Sequence, residues 1–211
     1  MVTEQDLLWQ TFSSMYNPVY WFEFANFLKV AAGDATPSDD ARRRGEPIPL
    51  GYRPVMCQDF HFDVRPYAAV AAMQESLNRL APHTKLSPLA WTDLTGCQNW
   101  PGPVNNPPHR LKASPDLPPI LMTNSRYDVA TPYEWGTSLA AQLPSATFLT
   151  YDGVGHGDYW LSPCAQNAID TYLLTLKTPP EGTHCPANFP AEQQSLRSAT
   201  LVNPLLGSMS R

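Results

Sequence analysis

PPILMTNSRYDVATPYEW, residues 118–135, and TFLTYDGVGHG, residues 147–157, carry two strand patterns separated by one helix pattern. Ile120, Leu121 and Met122 form a short apolar run behind Pro118 and Pro119, which predicts a buried strand ending near Asn124. Thr131, Pro132 and Glu134 then combine an N-cap, a first-turn proline and a capping-box acid. A helix is expected there, with Trp135, Leu139 and Leu143 as its buried stripe and Pro144 as its stop. Thr147 to Asp152 alternates like a strand. Past GVGHG, Ser162 and Pro163 start another predicted helix, with Ile169, Tyr172, Leu173 and Leu176 facing inward. Strand, helix, strand, helix in succession indicates an α/β fold: a parallel sheet with helices on its faces and ligands beyond the carboxyl ends of the strands. Asp128 and His156 both fall just past such ends.

On the N-terminal side, Asp6 to Gly33 reads as two amphipathic helices broken at Pro18. Leu8, Phe12 and Met15 share the face of the first, Trp21, Phe24 and Leu28 that of the second, and Gly33 is the stop. The aromatics Trp9, Phe12, Tyr16, Tyr20 and Trp21 at this spacing read as core packing rather than as the lining of an apolar pocket. Asp34 to Arg53 mixes charge, Gly and Pro without periodicity and is expected to be a loop. A helix is predicted from Pro66, with Val70, Met73, Leu77 and Leu80 at helical spacing, ending before Pro82. Ala81 to Pro119 reads as a long irregular connection through Trp91, Cys97 and Trp100. From Pro179 onward the composition is polar and proline-rich and predicts, apart from Cys185, a loosely held tail.

Composition narrows the function classes. The 211 residues are 43% hydrophobic, enough to bury a sizeable core. A net charge of -5 leaves Arg42, Arg43 and Arg44 as the one dense basic cluster, read as a solvated loop, so no nucleic-acid partner is expected. No apolar run approaches the roughly 18 residues of a membrane span, and no membrane partner is expected. MVTEQDLLWQ lacks the features of a signal peptide; a leader, if one exists, is expected upstream of this sequence. Four cysteines, Cys57, Cys97, Cys164 and Cys185, allow three disulfide pairings and imply an oxidising, secreted-type compartment. With no CxxC pair, and with His61 and His184 scattered, neither a metal nor another cofactor is expected.

The two opening stretches resemble the terminal strands of α/β-hydrolases, in which acid and histidine occupy successive strand-end loops in the order nucleophile, acid, histidine. VMCQDF, GCQNWPGP, SPCAQ and GTHC narrow the likeness to the C-terminal domain of the tripeptidyl-aminopeptidase-like group, over roughly Arg53 to Cys185. The resemblance implies the last parallel strands of a hydrolase with flanking helices over 53–185, part of a helical cap over 1–52, and a polar tail over 186–211. It also implies the disulfides Cys57–Cys97 and Cys164–Cys185, since each pair brackets one segment of the pattern. A serine hydroxyl is a weak nucleophile at neutral pH, so an imidazole must take its proton and a carboxylate must hold that imidazole in one tautomer. His156 is the expected base and Asp128 the expected acid. Gly153, Gly155 and Gly157 let the loop around His156 turn sharply. Asp152 and Asp158 compete for the acid role but lie in the histidine loop itself.

The nucleophile is missing. A nucleophile elbow needs GxSxG between a strand and a helix, ahead of the acid. GTSLA around Ser138 is the nearest match, but it follows Asp128 and falls inside a predicted helix. The expectation is therefore a sequence that starts too late, the downstream portion of a serine hydrolase acting on a small peptide, amide or ester. Its N-terminal hydrolase segment is missing, and the isolated chain is expected to be inactive. The alternative is a noncatalytic remnant that binds a ligand or partner on a hydrolase scaffold.

Overall fold

The computed structural model describes residues 2–33, 51–60, 62, 64, 67–83, 87–114 and 116–189. The Arg42–Arg44 run, His61, the start of a helix at Pro66 and the tail beyond residue 189 lie outside the described residues. The chain divides into two compact units, one formed by residues 1–12 with 43–109 and the other by residues 13–42 with 110–211.

The first unit is helical. Helix α1 (Glu4–Ser14) begins in it; α3 (Tyr52–Asp59), α4 (Tyr67–Leu80) and α5 (Pro88–Gly96) complete it. Helix α3 starts at Tyr52, so the end of the expected 34–53 loop is helical. The expected irregular connection from Ala81 to Pro119 likewise contains α5, which Pro88 opens at its first position. Its inward residue Leu94 is buried, and Cys97 just past its end is disulfide-bonded to the buried Cys57 of α3. A helix this short, flanked by Pro, Asn and Gly, has too little periodicity to stand out; the cystine holds it in place.

The second unit contains the sheet. Strands β1 (Ile120–Tyr127), β2 (Ala146–Val154) and β3 (His184–Cys185) are parallel, in the order β1-β2-β3. Strand β1 runs three residues past the expected end at Asn124. Its polar residues Asn124 and Ser125 tolerate burial because each donates to a carboxylate, Asp128 and Asp158 respectively. The alternation in β2 sorts its side chains. Leu149 and Tyr151 face a core shared with Leu161, Ala165 and Cys185, against which Leu121 and Ala168 pack. Phe148 and Thr150 face helix α6 (Tyr133–Ala140), where the Tyr133 ring meets Phe148 edge-on and its hydroxyl lies 2.7 Å from that of Thr150.

Helix α6 turns a different face to the sheet than its apolar pattern suggested. Trp135 is 64% exposed and Leu139 is also exposed, while Tyr133 and Gly136 contact the strands. Gly136 is what allows the approach, since a Cβ there would stand 2.7 Å from Asn124 Oδ1 and 3.2 Å from the Phe148 ring. After β2 come the short helix α7 (Asp158–Leu161) and α8 (Pro163–Thr175), on the opposite face from α6. Ser162 caps α8 by accepting from the Ala165 amide, as its sequence promised. Within α8 small residues are innermost: Ala165 is buried, whereas Leu173 is 68% exposed and Leu176 just beyond it is exposed too.

The segment after Pro179 is held more firmly than expected. Strand β3 pairs with Thr150 and Tyr151, and the Asn188 amide donates to the Tyr151 hydroxyl at 3.0 Å. Helix α2 (Trp21–Ala32) closes at Gly33 in the left-handed conformation the sequence indicated. Its Trp21 ring lies 5.8 Å from that of Phe189.

The Cys164–Cys185 disulfide ties the start of α8 to β3 across 21 residues. Closing a loop of that size stabilises a fold by about 3 kcal/mol. Replacing both cysteines by serine should lower the midpoint of thermal unfolding by roughly 6–12 °C, measured by circular dichroism. An unchanged midpoint would show that hydrogen bonding alone holds this end of the sheet.

Candidate active site

Asp128 follows β1 and His156 follows β2, and parallel strands end on the same side of a sheet. The register runs evenly from Ile120 opposite Ala146 to Ser125 opposite Tyr151, then slips, so that Tyr127 stands opposite Val154. This irregularity inserts one extra residue on β2 and brings the histidine loop level with Asp128. Gly155, at φ +118°, and Gly157, at φ +92°, take backbone conformations that side-chain-bearing residues rarely adopt. Gly153 serves another need: a Cβ there would strike the Tyr151 ring.

His156 Nδ1 lies 2.9 Å from Asp128 Oδ2 and 3.2 Å from Oδ1. An ionised carboxylate only accepts hydrogen bonds, so the proton belongs to Nδ1 and the neutral ring keeps its lone pair on Nε2. The Asp128 side chain is 3% exposed and that of His156 34%. The acid is thus enclosed and the ring reaches solvent.

Asp128 is surrounded by donors. Its Oδ1 accepts from the Ala130 and Thr131 amides, both at 2.8 Å, and its Oδ2 from the Thr131 hydroxyl at 2.9 Å and Asn124 Nδ2 at 3.2 Å. Burial pushes the carboxyl up, but the His156 bond and the two amides outweigh it and hold the group below its ordinary 3.8. The Asp128 bond raises the His156 ring above its ordinary 6.5, with burial opposing.

Of the two competing acids, Asp152 is engaged elsewhere, accepting from Arg126 Nε at 3.1 Å and standing 2.9 Å from His184 Nδ1. Asp158 is buried at the start of α7 with its Oδ1 2.5 Å from the Ser125 hydroxyl, and burial pushes its carboxyl up. Neither bonds to His156. Ser138 sits exposed within α6, a regular helix rather than a strand-to-helix turn.

Two residues of this constellation escaped sequence reasoning. Thr131, read as a helix cap, turns its hydroxyl to Asp128 and stands 3.3 Å from His156 Nδ1, while Pro132 takes the cap position without a side-chain bond. The signal was present in DVAT, because an aspartate accepting from the amides two and three residues ahead is the Asx-turn pattern. The other residue is Tyr16, whose carbonyl accepts from the His156 amide at 2.9 Å. Nothing local in the sequence marks it. Among the described residues there is no group of three or more His, Cys, Asp or Glu side chains suited to hold a metal ion.

Residues 86–185 match the family model described as TAP-like protein. Over these residues the chain is similar to the TAP-like α/β-hydrolases. The TAP-like segment covers β1, β2, β3 and both residues of the Asp128–His156 pair, and its small parallel sheet with helices on both faces fits the C-terminal part of that fold. Serine protease Hip1 of Mycobacterium tuberculosis H37Rv is 37% identical over 93 residues, 44% of this chain and 18% of that protein. Tripeptidyl aminopeptidase of Streptomyces lividans is 36% identical over 98 residues, 46% of this chain and 18% of that protein. Carboxylesterase B of M. tuberculosis H37Rv is 30% identical over 141 residues, 64% of this chain and 26% of that protein. The matches therefore span 18–26% of the length of these relatives. All three bear hydrolase names.

The opposite shifts of the TAP-like pair fix a pH window. A carboxyl held below 3.8 stabilises the fold above that pH, and its contribution is lost as pH falls through the lowered value. A ring raised above 6.5 stabilises the fold fully below 6.5, and its contribution is lost as pH rises through the raised value. The difference in thermal midpoint between the parent and Asp128→Asn should peak between pH 3.8 and 6.5 and shrink on either side. A flat difference from pH 3 to 9 would exclude this coupling.

Proposed function

We propose that this chain supplies the acid, Asp128, and the base, His156, of a serine hydrolase that cleaves small peptides, amides or esters. The observation that carries the reading is the 2.9 Å bond from His156 Nδ1 to the enclosed Asp128, with every side-chain hydrogen bond of His156 among the described residues made at Nδ1 and none at Nε2. Nε2 takes the proton of an attacking hydroxyl and later delivers it to the leaving group, while Asp128 stabilises the imidazolium formed in between. The names of the relatives, a serine protease, a tripeptidyl aminopeptidase and a carboxylesterase, support this chemistry.

No GxSxG occurs in the 211 residues, and Ser138 lies in a helix that cannot hold the strained turn of a nucleophile elbow. The nucleophile and the oxyanion donors accordingly belong to a preceding hydrolase segment, which is the partner this chain requires. Its two disulfides favour a secreted or otherwise oxidising location. The same lack of a nucleophile is what favours the noncatalytic alternative, a scaffold that binds without turnover. A GxSxG-encoding stretch upstream of Met1 favours the enzyme; several hundred codons without one favour the binding module.

A fluorophosphonate probe, which labels activated serines alone, should leave the isolated chain unmodified. Stoichiometric label at Ser138 or another serine here would overturn the division of labour. Joined to a segment that carries the nucleophile, the chain should support labelling and turnover, and Asp128→Asn should lower kcat by roughly 10⁴-fold.

A further inference from the structure

The histidine loop rests on a segment about 140 residues away in sequence. Between α1 and α2 the chain turns through Tyr16 and Asn17, and three observations join that turn to His156. The Tyr16 carbonyl accepts the His156 backbone amide at 2.9 Å. The Tyr16 ring stands edge-on to the imidazole, with centroids 5.6 Å apart and planes at 78°. Finally, Gly155 leaves room for the contact, since a Cβ there would lie 2.5 Å from the Tyr16 carbonyl oxygen.

We infer that Tyr16 is a positioning residue for His156: its carbonyl fixes the backbone of the histidine and its ring confines the imidazole in the orientation that meets Asp128. The importance of this seat for catalysis rests on the reading of His156 as the base; its existence does not. Imidazole turns easily about its two side-chain torsions, and one hydrogen bond to a carboxylate does not restrain both. Asp128, Thr131 and Asn124 form a polar wall at the Nδ1 edge. Tyr16 supplies an apolar wall from another element. Aromatic pairs in edge-to-face arrangement are favourable beyond their buried area, which suits a contact that orients as well as excludes water.

The turn is itself prepared for this task. Asn17 Oδ1 accepts from the Val19 amide at 3.0 Å and starts the short 3-10 turn Pro18–Tyr20, whose Pro18 and Val19 are buried. That anchorage fixes the direction of the preceding Tyr16 carbonyl. Among the described residues, the charged and titratable groups around the ring are Asp128, bonded to it, Asp158, buried two residues on, and Tyr16, which faces it from the turn.

The test reads the titration of the His156 ring by NMR in the full 211-residue chain, with Tyr16→Phe and Tyr16→Ala beside the parent, and with Asp128→Asn as reference. Hydrogen bonding to Asp128 is the main cause that raises the ring, so a ring freed from its seat should titrate lower. We expect Tyr16→Ala to move His156 toward the Asp128→Asn value and Tyr16→Phe to restore the parent value, both with an unchanged circular dichroism spectrum. If Tyr16→Ala is folded and His156 titrates as in the parent, or higher because burial alone was relieved, the inference is wrong. Should Tyr16→Ala not fold, Tyr16→Leu, which keeps the bulk and loses the ring, gives the same reading. An Asp128→Asn variant that leaves His156 unmoved would instead sink the acid–base reading, so the two failures are distinct.

Discussion

The pairing of β1 with β2 is the interaction from which the site follows. Neither Asp128 nor His156 belongs to the sheet, yet both inherit their positions from it, because two parallel strands deliver their following residues to one edge. The slipped register at Arg126 matters as much as the pairing. In an even register Tyr127 would stand opposite Gly153 instead of Val154, and the histidine would lie one residue farther along with its side chain turned to the other face. The backbone therefore specifies the distance, and the side chains complete the bond.

Around that frame the charges are arranged with little redundancy. Two carboxylates lie within a few residues of the histidine in sequence and a third at the end of the neighbouring strand, and each has its own donors: Asp128 meets the imidazole, Asp152 the exposed Arg126 and His184, and Asp158 the buried Ser125 hydroxyl. Sequence proximity to His156 favours Asp152 and Asp158. Topology favours Asp128. Asp152 turns to Arg126 and His184, and Asp158, at the start of α7, turns to Ser125, whereas Asp128 at the neighbouring strand end meets the histidine directly.

The sequence was most legible where local chemistry and topology agree. Ser162 as a cap, Gly33 as a stop and the alternation in TFLTYD each translate into one element, and the order of Asp128 and His156 requires nothing beyond the parallel sheet. The misreadings share a cause. Trp135, Leu139, Leu173 and Leu176 carry the apolar pattern of their segments, but the faces turned to the sheet are the ones where Gly136 and Ala165 permit close approach. Small residues carry a weak hydrophobic signal and a strong steric one, and periodicity registers the first. Tyr16 shows a different limit, since a contact spanning most of the chain leaves no trace in spacing at all.

Strand β3 is two residues long and is followed at once by Pro186. A sheet that ends this way offers an approaching molecule almost no run of free amides and carbonyls to extend, because proline lacks the donor and the strand is spent within two positions. Among the described residues, this side of the sheet is therefore closed to further strand pairing by its own brevity.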